Sequence, residues 1–415
     1  VSIVNQIIFV YNLCIFGGTA GVGIFTAQYF GQKNDEGIRS TFRYKIWLAL
    51  IITVGAAFLL LFFGKQLILL YLMGENGGNE KLALEYGMTY LRIILLDLPA
   101  FMILQVYAST MRECGETVVP MKAGAAAVAV NLIFNYLLIY GKFGFPRLGV
   151  AGAAVATVLS QVFSFAICAA GLKRLEFVSL LDGCKSKNAR LAVRMLKTGM
   201  PVGIMSMVTA VGGMILQFFV NDLGASAVAA YAASTKIRSV IGEFSNALGM
   251  TFMTFVGQNY GAQKYDRIKD GVRTGVLLSV LIHIPLSAVE IFGGKRIASL
   301  MVTDPPVLEL CGQYLLIVGI FVFFLGFLMV FRNCIQGMGN TWIPMLSGGL
   351  EVFSRLIFGY WLGRHSFMGI AAAEASAWIS VSIMLGSSFF ILFRKVLRTQ
   401  TPEDTTDTKS IRTVS

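Results

Sequence analysis

The 415-residue chain is 56% hydrophobic and only 13% charged, with a mean hydropathy of +0.72, a balance outside the range of ordinary soluble domains. It reads as an all-α polytopic membrane protein, because hydrocarbon offers no partner for unpaired backbone groups and the period-2 pattern of a barrel is absent. The net charge of +12 follows from membrane topology and anionic inner-leaflet lipid, so nucleic acid is not called for as a partner.

Apolar runs long enough to cross a bilayer, about 20 residues each, begin at 1–28 and continue at 44–73, 86–109, 117–141 and 149–172. Six more lie at 196–222, 229–258, 274–293, 310–334, 342–363 and 367–394. The first run closes on FTAQYFGQK (25–33), and nearly the same phrase, FVGQNYGAQ, closes the run at 229–258. Sliding the chain by about 230 residues pairs Phe25, Gln28, Gly31 and Ile38 with Phe255, Gln258, Gly261 and Ile268. An ungapped offset of 224 aligns Tyr90, Leu91, Gly115, Thr117, Pro120 and Met121 with Tyr314, Leu315, Gly339, Thr341, Pro344 and Met345.

The halves are therefore parallel repeats, expected as two helix bundles related by a pseudo-twofold axis along the membrane normal. The run at 196–222 has no counterpart in the first half, so these eleven spans imply a twelfth, and about 40 residues carrying it, upstream of Val1. The expected division is an N-terminal lobe over 1–180, a cytoplasmic linker over 181–195, a C-terminal lobe over 196–396 and a disordered cytoplasmic tail over 397–415.

Orientation follows from alternating basic loops. Lys33, Arg39, Arg43 and Lys45 fall in one such loop; Lys173, Arg174, Lys185, Lys187, Arg190, Arg194 and Lys197 fill the connection between halves; Lys264, Arg267, Lys269 and Arg273 follow the second copy of the repeated phrase. These loops and the tail are expected in the cytoplasm, with cation-poor loops such as GENGGNE (74–80) opposite. The repeated phrase then marks a cytoplasmic helix end. Gly31 and Gly261 suit a tight exit, and Gln28 and Gln258 suit satisfaction of backbone groups at the turn. A moving gate is the alternative reading of the same residues.

Charges within spans mark mechanism, since each costs ~2.5 to 3.5 kcal/mol at a helix centre. Asp97 falls near the midplane and Asn131 at similar depth on the next span, so a carboxylate beside an amide is expected to load and release a proton or to fix helix packing. Glu351 and Arg355 stand four apart on one helix face, near the expected depth of Glu374, which predicts an ionic cluster. Lys236, Arg238 and Glu243 share one helix, with Lys236 and Glu243 seven apart on a face that borders either a wet cavity or a local pair. His283 reads as a packed, hydrogen-bonded residue. The six cysteines have no CxxC spacing and imply neither a disulfide framework nor a metal site. GGTAGVG (17–23) lacks both the preceding strand and the lysine of a nucleotide loop. No cofactor and no enzymatic constellation is expected, and energy must come from an ion gradient or from the substrate's own.

FTAQYFGQKN, FVGQNYGAQK, the MRECGETVVP and IQGMGNTWIP turns, and NLIFNYLLIYGKFGFPRLGVAGAAVATVLSQ together resemble the multidrug and toxic compound extrusion (MATE) family over nearly the whole chain. The resemblance implies a monomeric twelve-helix antiporter of the bacterial inner membrane that expels amphipathic, often cationic drugs in exchange for H⁺ or Na⁺. Proton-coupled members carry an Asp on the first helix and often another on the fifth, one turn beyond an Asn matching Asn131. Here that position is Asn135. The sodium-linked branch has a Glu on its seventh helix, whereas GMPVGIMSMVTAVGGMILQFF has none, so both ions stay open. A lipid-linked saccharide flippase of the same superfamily, or an inactive fragment, is the alternative.

Overall fold

The computed structural model describes residues 2–72, 80–172 and 189–398. The expected tail beyond Arg398, the loop at 74–79 and positions 181–188 of the expected linker lie outside the described residues. Among the described residues there are helices and turns but no strand. In chain order the helices are α1 (Ser2–Gly31), α2 (Asp35–Leu72), α3 (Glu80–Ile94), α4 (Asp97–Glu113), α5 (Val118–Tyr140) and α6 (Val150–Leu172). They continue with α7 (Ala189–Asn221), α8 (Ala225–Gly261), α9 (Tyr265–Ala288), α10 (Gly294–Ala298), α11 (Pro305–Gly337), α12 (Trp342–Phe358) and α13 (Phe367–Arg398).

Eight of these are long and apolar enough to span a bilayer, and the pair α3 and α4, bent by 45°, makes a ninth. The run expected as one span at 86–109 is thus two helices. Pro99 explains the break: its ring has no N–H to donate and would collide with the carbonyl four residues back, so a proline is accommodated by starting a new helix just before it. α8 and α12 fall outside that set, α8 carrying Lys236, Arg238 and Glu243, and α12 running only 17 residues. Wide π-turns follow α9 at Val289–Gly293 and α12 at Gly359–Gly363.

The chain separates into two compact units, Val1–Gly203 and Ile204–Ser415, so the division falls inside α7. Arg190, Arg194 and Lys197 accordingly sit on a helix rather than in a connecting loop. In the first unit Ile15, Phe42, Leu91, Leu98, Met111 and Cys168 bring α1 to α4 and α6 into one core. Gly21 lets α1 lie directly on α7, since a Cβ there would come within 2.2 Å of Gly199 Cα. In the second unit α11 is central, packed by α8, α9 and α13 around Tyr314, Val318, Val322, Ile237, Trp378 and Leu385. Leu61, Phe62, Leu132 and Phe292 point outward at 63 to 82% exposure, as lipid contact requires.

The repeat read from the sequence recurs as hydrogen bonds. At the end of α4, Gly115 takes φ 84° while its N–H bonds Arg112 O and that of Glu116 bonds Met111 O; at the end of α11, Gly339 takes φ 91° with Gly339 N–H to Gln336 O and Asn340 N–H to Ile335 O. The side chains of Glu116 and Asn340 then accept from the N–H groups of Val119 and Ile343, both at 3.2 Å. A second duplicated turn ends α1 and α8. There the left-handed residues are Lys33 and Gln263, at φ 56° and 57°. This corrects the expectation that Gly31 and Gly261 make the tight exit, since both are still helical and the chain reverses two residues later.

Candidate transport site

Buried charge occurs in both units, at positions that the repeat does not share. In the second unit a line of ion pairs crosses four helices. Arg332 on α11 and Arg355 on α12 hold the two oxygens of Glu351 at 3.0 and 2.9 Å. Arg355 also approaches Glu374 on α13, at 3.8 Å, and Arg238 on α8 reaches the same carboxylate oxygen at 3.2 Å. The other oxygen of Glu374 accepts the hydroxyl of Tyr314. The guanidinium of Arg238 lies 6.0 Å over the ring of Trp378. Glu351, Arg355 and Glu374 are each at most 5% exposed, so removal of any one strands its partner in a low-dielectric interior.

The structure therefore brings Glu351, Arg355 and Glu374 together as their spacing predicts, and adds Arg332, which the sequence reading missed. Its signal was a lone cation inside the expected span at 310–334, two residues from its end. Lys236 and Glu243 do not join the line. Both are exposed on α8, and the inward cation of that helix is Arg238. His283 is fully buried, with Nε2 2.7 Å from Ser245 Oγ and Nδ1 2.7 Å from Ser279 O.

In the first unit, Asp97 opens α4 at 6% exposure, and its Oδ1 has no hydrogen-bond partner. Tyr11 and Tyr90 are within electrostatic reach of it. The Tyr11 hydroxyl donates to Leu98 O at 2.8 Å, and Tyr90 donates to Asn5 Oδ1 at 3.1 Å. No hydrogen bond joins Asp97 to Asn131. The Asn131 amide instead accepts from Asn135 at 2.8 Å and donates to Thr157 at 3.5 Å, because α5 lies against α6 more closely than against α4.

Lys45 is the larger correction. Expected in a loop, it lies about 15 Å into α2 from Asp35, is 0% exposed, and forms an ion pair with Glu113 at the end of α4. Ser109 and Thr110 accept its remaining two donors, each at 3.2 Å. Gly23 on α1 makes room for the carboxylate: a Cβ there would stand 2.1 Å from Glu113 Oε1. The main-chain carbonyls of Gln28 and Gln258 accept the N–H groups of Gln32 and Ala262, each at 3.0 Å, so it is the backbone at these positions that helps close the duplicated turn.

The sequence and the fold are shared with known proteins. The MatE family model matches residues 1–137 and 201–361, one segment in each repeat. The chain belongs to the MatE family. Within it, "Probable multidrug resistance protein NorM" of Thermotoga maritima is 25% identical over 398 residues, covering 95% of this chain and 83% of that protein. A protein named "FAD transporter" from Shewanella oneidensis is 26% identical, covering 81% of this chain and 73% of that protein. The fold matches a crystal structure of MATE in a bent conformation with a TM-score of 0.85 at 18% identity, and the bent form of the Vibrio cholerae MATE transporter VcmN with 0.78 at 19% identity; each covers 96% of this chain and 88% of that one. This MatE chain is a multi-pass membrane protein, and its family is one of transporters.

Proposed function

We propose that the chain is a secondary active exporter of amphipathic, often cationic small molecules, moving them out of the cytoplasm in exchange for H⁺ or Na⁺ through alternating access of its two repeats. The observation that carries the reading is the family match to both halves of the chain, together with relatives named as multidrug resistance proteins. Asp97 is the preferred coupling group of the first unit. A buried carboxyl with one unpartnered oxygen is suited to gain and lose a cation as the surrounding helices move. The reading takes the protein as a monomer of the bacterial inner membrane with its C-terminus in the cytoplasm.

The test is dye efflux from cells expressing the full-length gene, with the proton and sodium gradients collapsed separately. Efflux falls when the coupling gradient is collapsed and persists when the other is removed. Efflux unchanged after loss of both overturns antiport. Asp97→Asn, which keeps the shape and removes the titratable group, is expected to lower gradient-driven efflux at least tenfold, while unaltered transport removes Asp97 from the mechanism.

A further inference from the structure

Glu290 has no role in the ion-pair line described above, yet it lies beside it. It occupies the π-turn Val289–Gly293 between α9 and α10, is 1% exposed, and neither of its carboxylate oxygens has a hydrogen-bond partner. Five residues before Glu290, Pro285 removes an N–H from α9, and the helix widens one turn later. Such turns recur at functional sites because they redirect one side chain without ending the helix. The turn is held against α11 by Ser287, whose hydroxyl donates to Gly319 O at 2.7 Å. Gly319 clears space for the acid, since a Cβ there would come within 3.0 Å of Glu290 Cβ.

The charged surroundings are defined on every side. Arg238 on α8 and Glu374 on α13 act on Glu290, and Tyr231 and Tyr314 act on Arg238 from the same cluster. On α9 itself, His283 is occupied by Ser245 and Ser279. On α10, Lys295 is turned to Glu309 at 2.6 Å, both exposed. Glu290 thus has two charged neighbours but no ion pair among the described residues. Arg238 is the one member of the cluster with an exposed edge, 24% of its side chain, and its Nε has no acceptor.

Counting charge gives a functional asymmetry. Arg238, Arg332 and Arg355 face Glu351 and Glu374, so the cluster carries one excess positive charge while Glu290 is neutral and none when Glu290 is ionised. A neutral acid suits the unpartnered setting seen here; an ionised one would have the free Nε–H of Arg238 as its partner after a side-chain movement. We propose that Glu290 is a proton-binding site of the second unit. Its O–H bond breaks on discharge, the proton leaves to solvent along the exposed edge of Arg238, and the carboxylate left behind pairs with that guanidinium. The site stands on the geometry of the second unit and does not require Asp97 to be the coupling group of the first.

The test is infrared spectroscopy of the purified full chain in lipid vesicles, reading the C=O stretch of protonated carboxylic acid as pH is raised through neutrality. This measures proton binding whether or not a drug is transported, so its failure is separable from failure of the antiport reading. The wild type is expected to show an acid band that disappears with rising pH. E290Q loses that component, whereas D97N retains it. Glu290→Asp keeps an acid in the site and is expected to shift the pH at which the band is lost, which serves if E290Q does not fold. Spectra of wild type and E290Q that superimpose, a wild type with no such band, or an E290D titration identical to that of the wild type overturns the proposal.

Discussion

Each of the three ammonium donors of Lys45 meets an oxygen, from Glu113, Ser109 and Thr110, inside a wholly buried site. A pair of this kind contributes little net stability, but either half alone is costly. Lys45→Met is therefore expected to destabilise the protein by about 3–5 kcal/mol, because Glu113 is left buried without its counter-ion. The double variant Lys45→Met with Glu113→Gln removes both charges and recovers most of that loss. A thermal-denaturation cycle in detergent measures the difference, and equal losses in the single and double variants would show that packing, rather than charge, holds α2 to α4. Gly23→Ala tests the same contact from α1, since its methyl meets Glu113 Oε1 at 2.1 Å, and a drop in melting temperature is expected.

At the scale of elements, the turns carry the duplication more faithfully than the side chains do. Gly115 and Gly339 both sit at positive φ, where an alanine costs about 1–2 kcal/mol. Gly115→Ala and Gly339→Ala should therefore lower the melting temperature by similar amounts. At the other duplicated turn the strained residue is Gln263, and Gln263→Gly relieves about 1 kcal/mol of left-handed strain, so its melting temperature rises or stays level. A clear fall would show that the Gln263 side chain contributes a contact worth more than the strain. The charged positions do not follow the repeat. Taking the 224-residue offset, Arg355 corresponds to Asn131, Glu351 to Ala127 and Asp97 to Phe321. One helix plan thus holds an ion-pair line in one unit and, in the other, a lone carboxyl and a separate lysine pair.

For the whole molecule, membrane embedding assigns distinct surroundings to the four tryptophans. Trp47, Trp342 and Trp361 are 52, 61 and 71% exposed, and Trp378 is 1% exposed beneath Arg238. In vesicles of lipid brominated on its acyl chains, fluorescence of the wild type is expected to be strongly quenched. A variant with Phe at 47, 342 and 361, retaining Trp378 alone, is expected to lose most of that quenching. Equal quenching of the two proteins would place Trp378 against lipid and contradict the packing of α13 on α11 and α12.

The sequence by itself determined the helical class, the approximate spans, the duplication and the family, because hydrocarbon forces every spanning backbone into a helix and a repeated turn rewrites the same hydrogen bonds at a fixed offset. It also placed Glu351 with Arg355, since a separation of four residues on one helix is a local distance. Matching depth also put Glu374 near that pair, whereas tertiary structure alone decided the other charge contacts across helices. Lys45 and Glu113, Arg332 and Glu351, Arg238 and Glu374 are separated by 68, 19 and 136 positions, and their contact depends on the rotation of each helix about its axis. That rotation is fixed by packing of the full bundle, as is the isolation of Glu290 on a turn whose widening no periodicity announces.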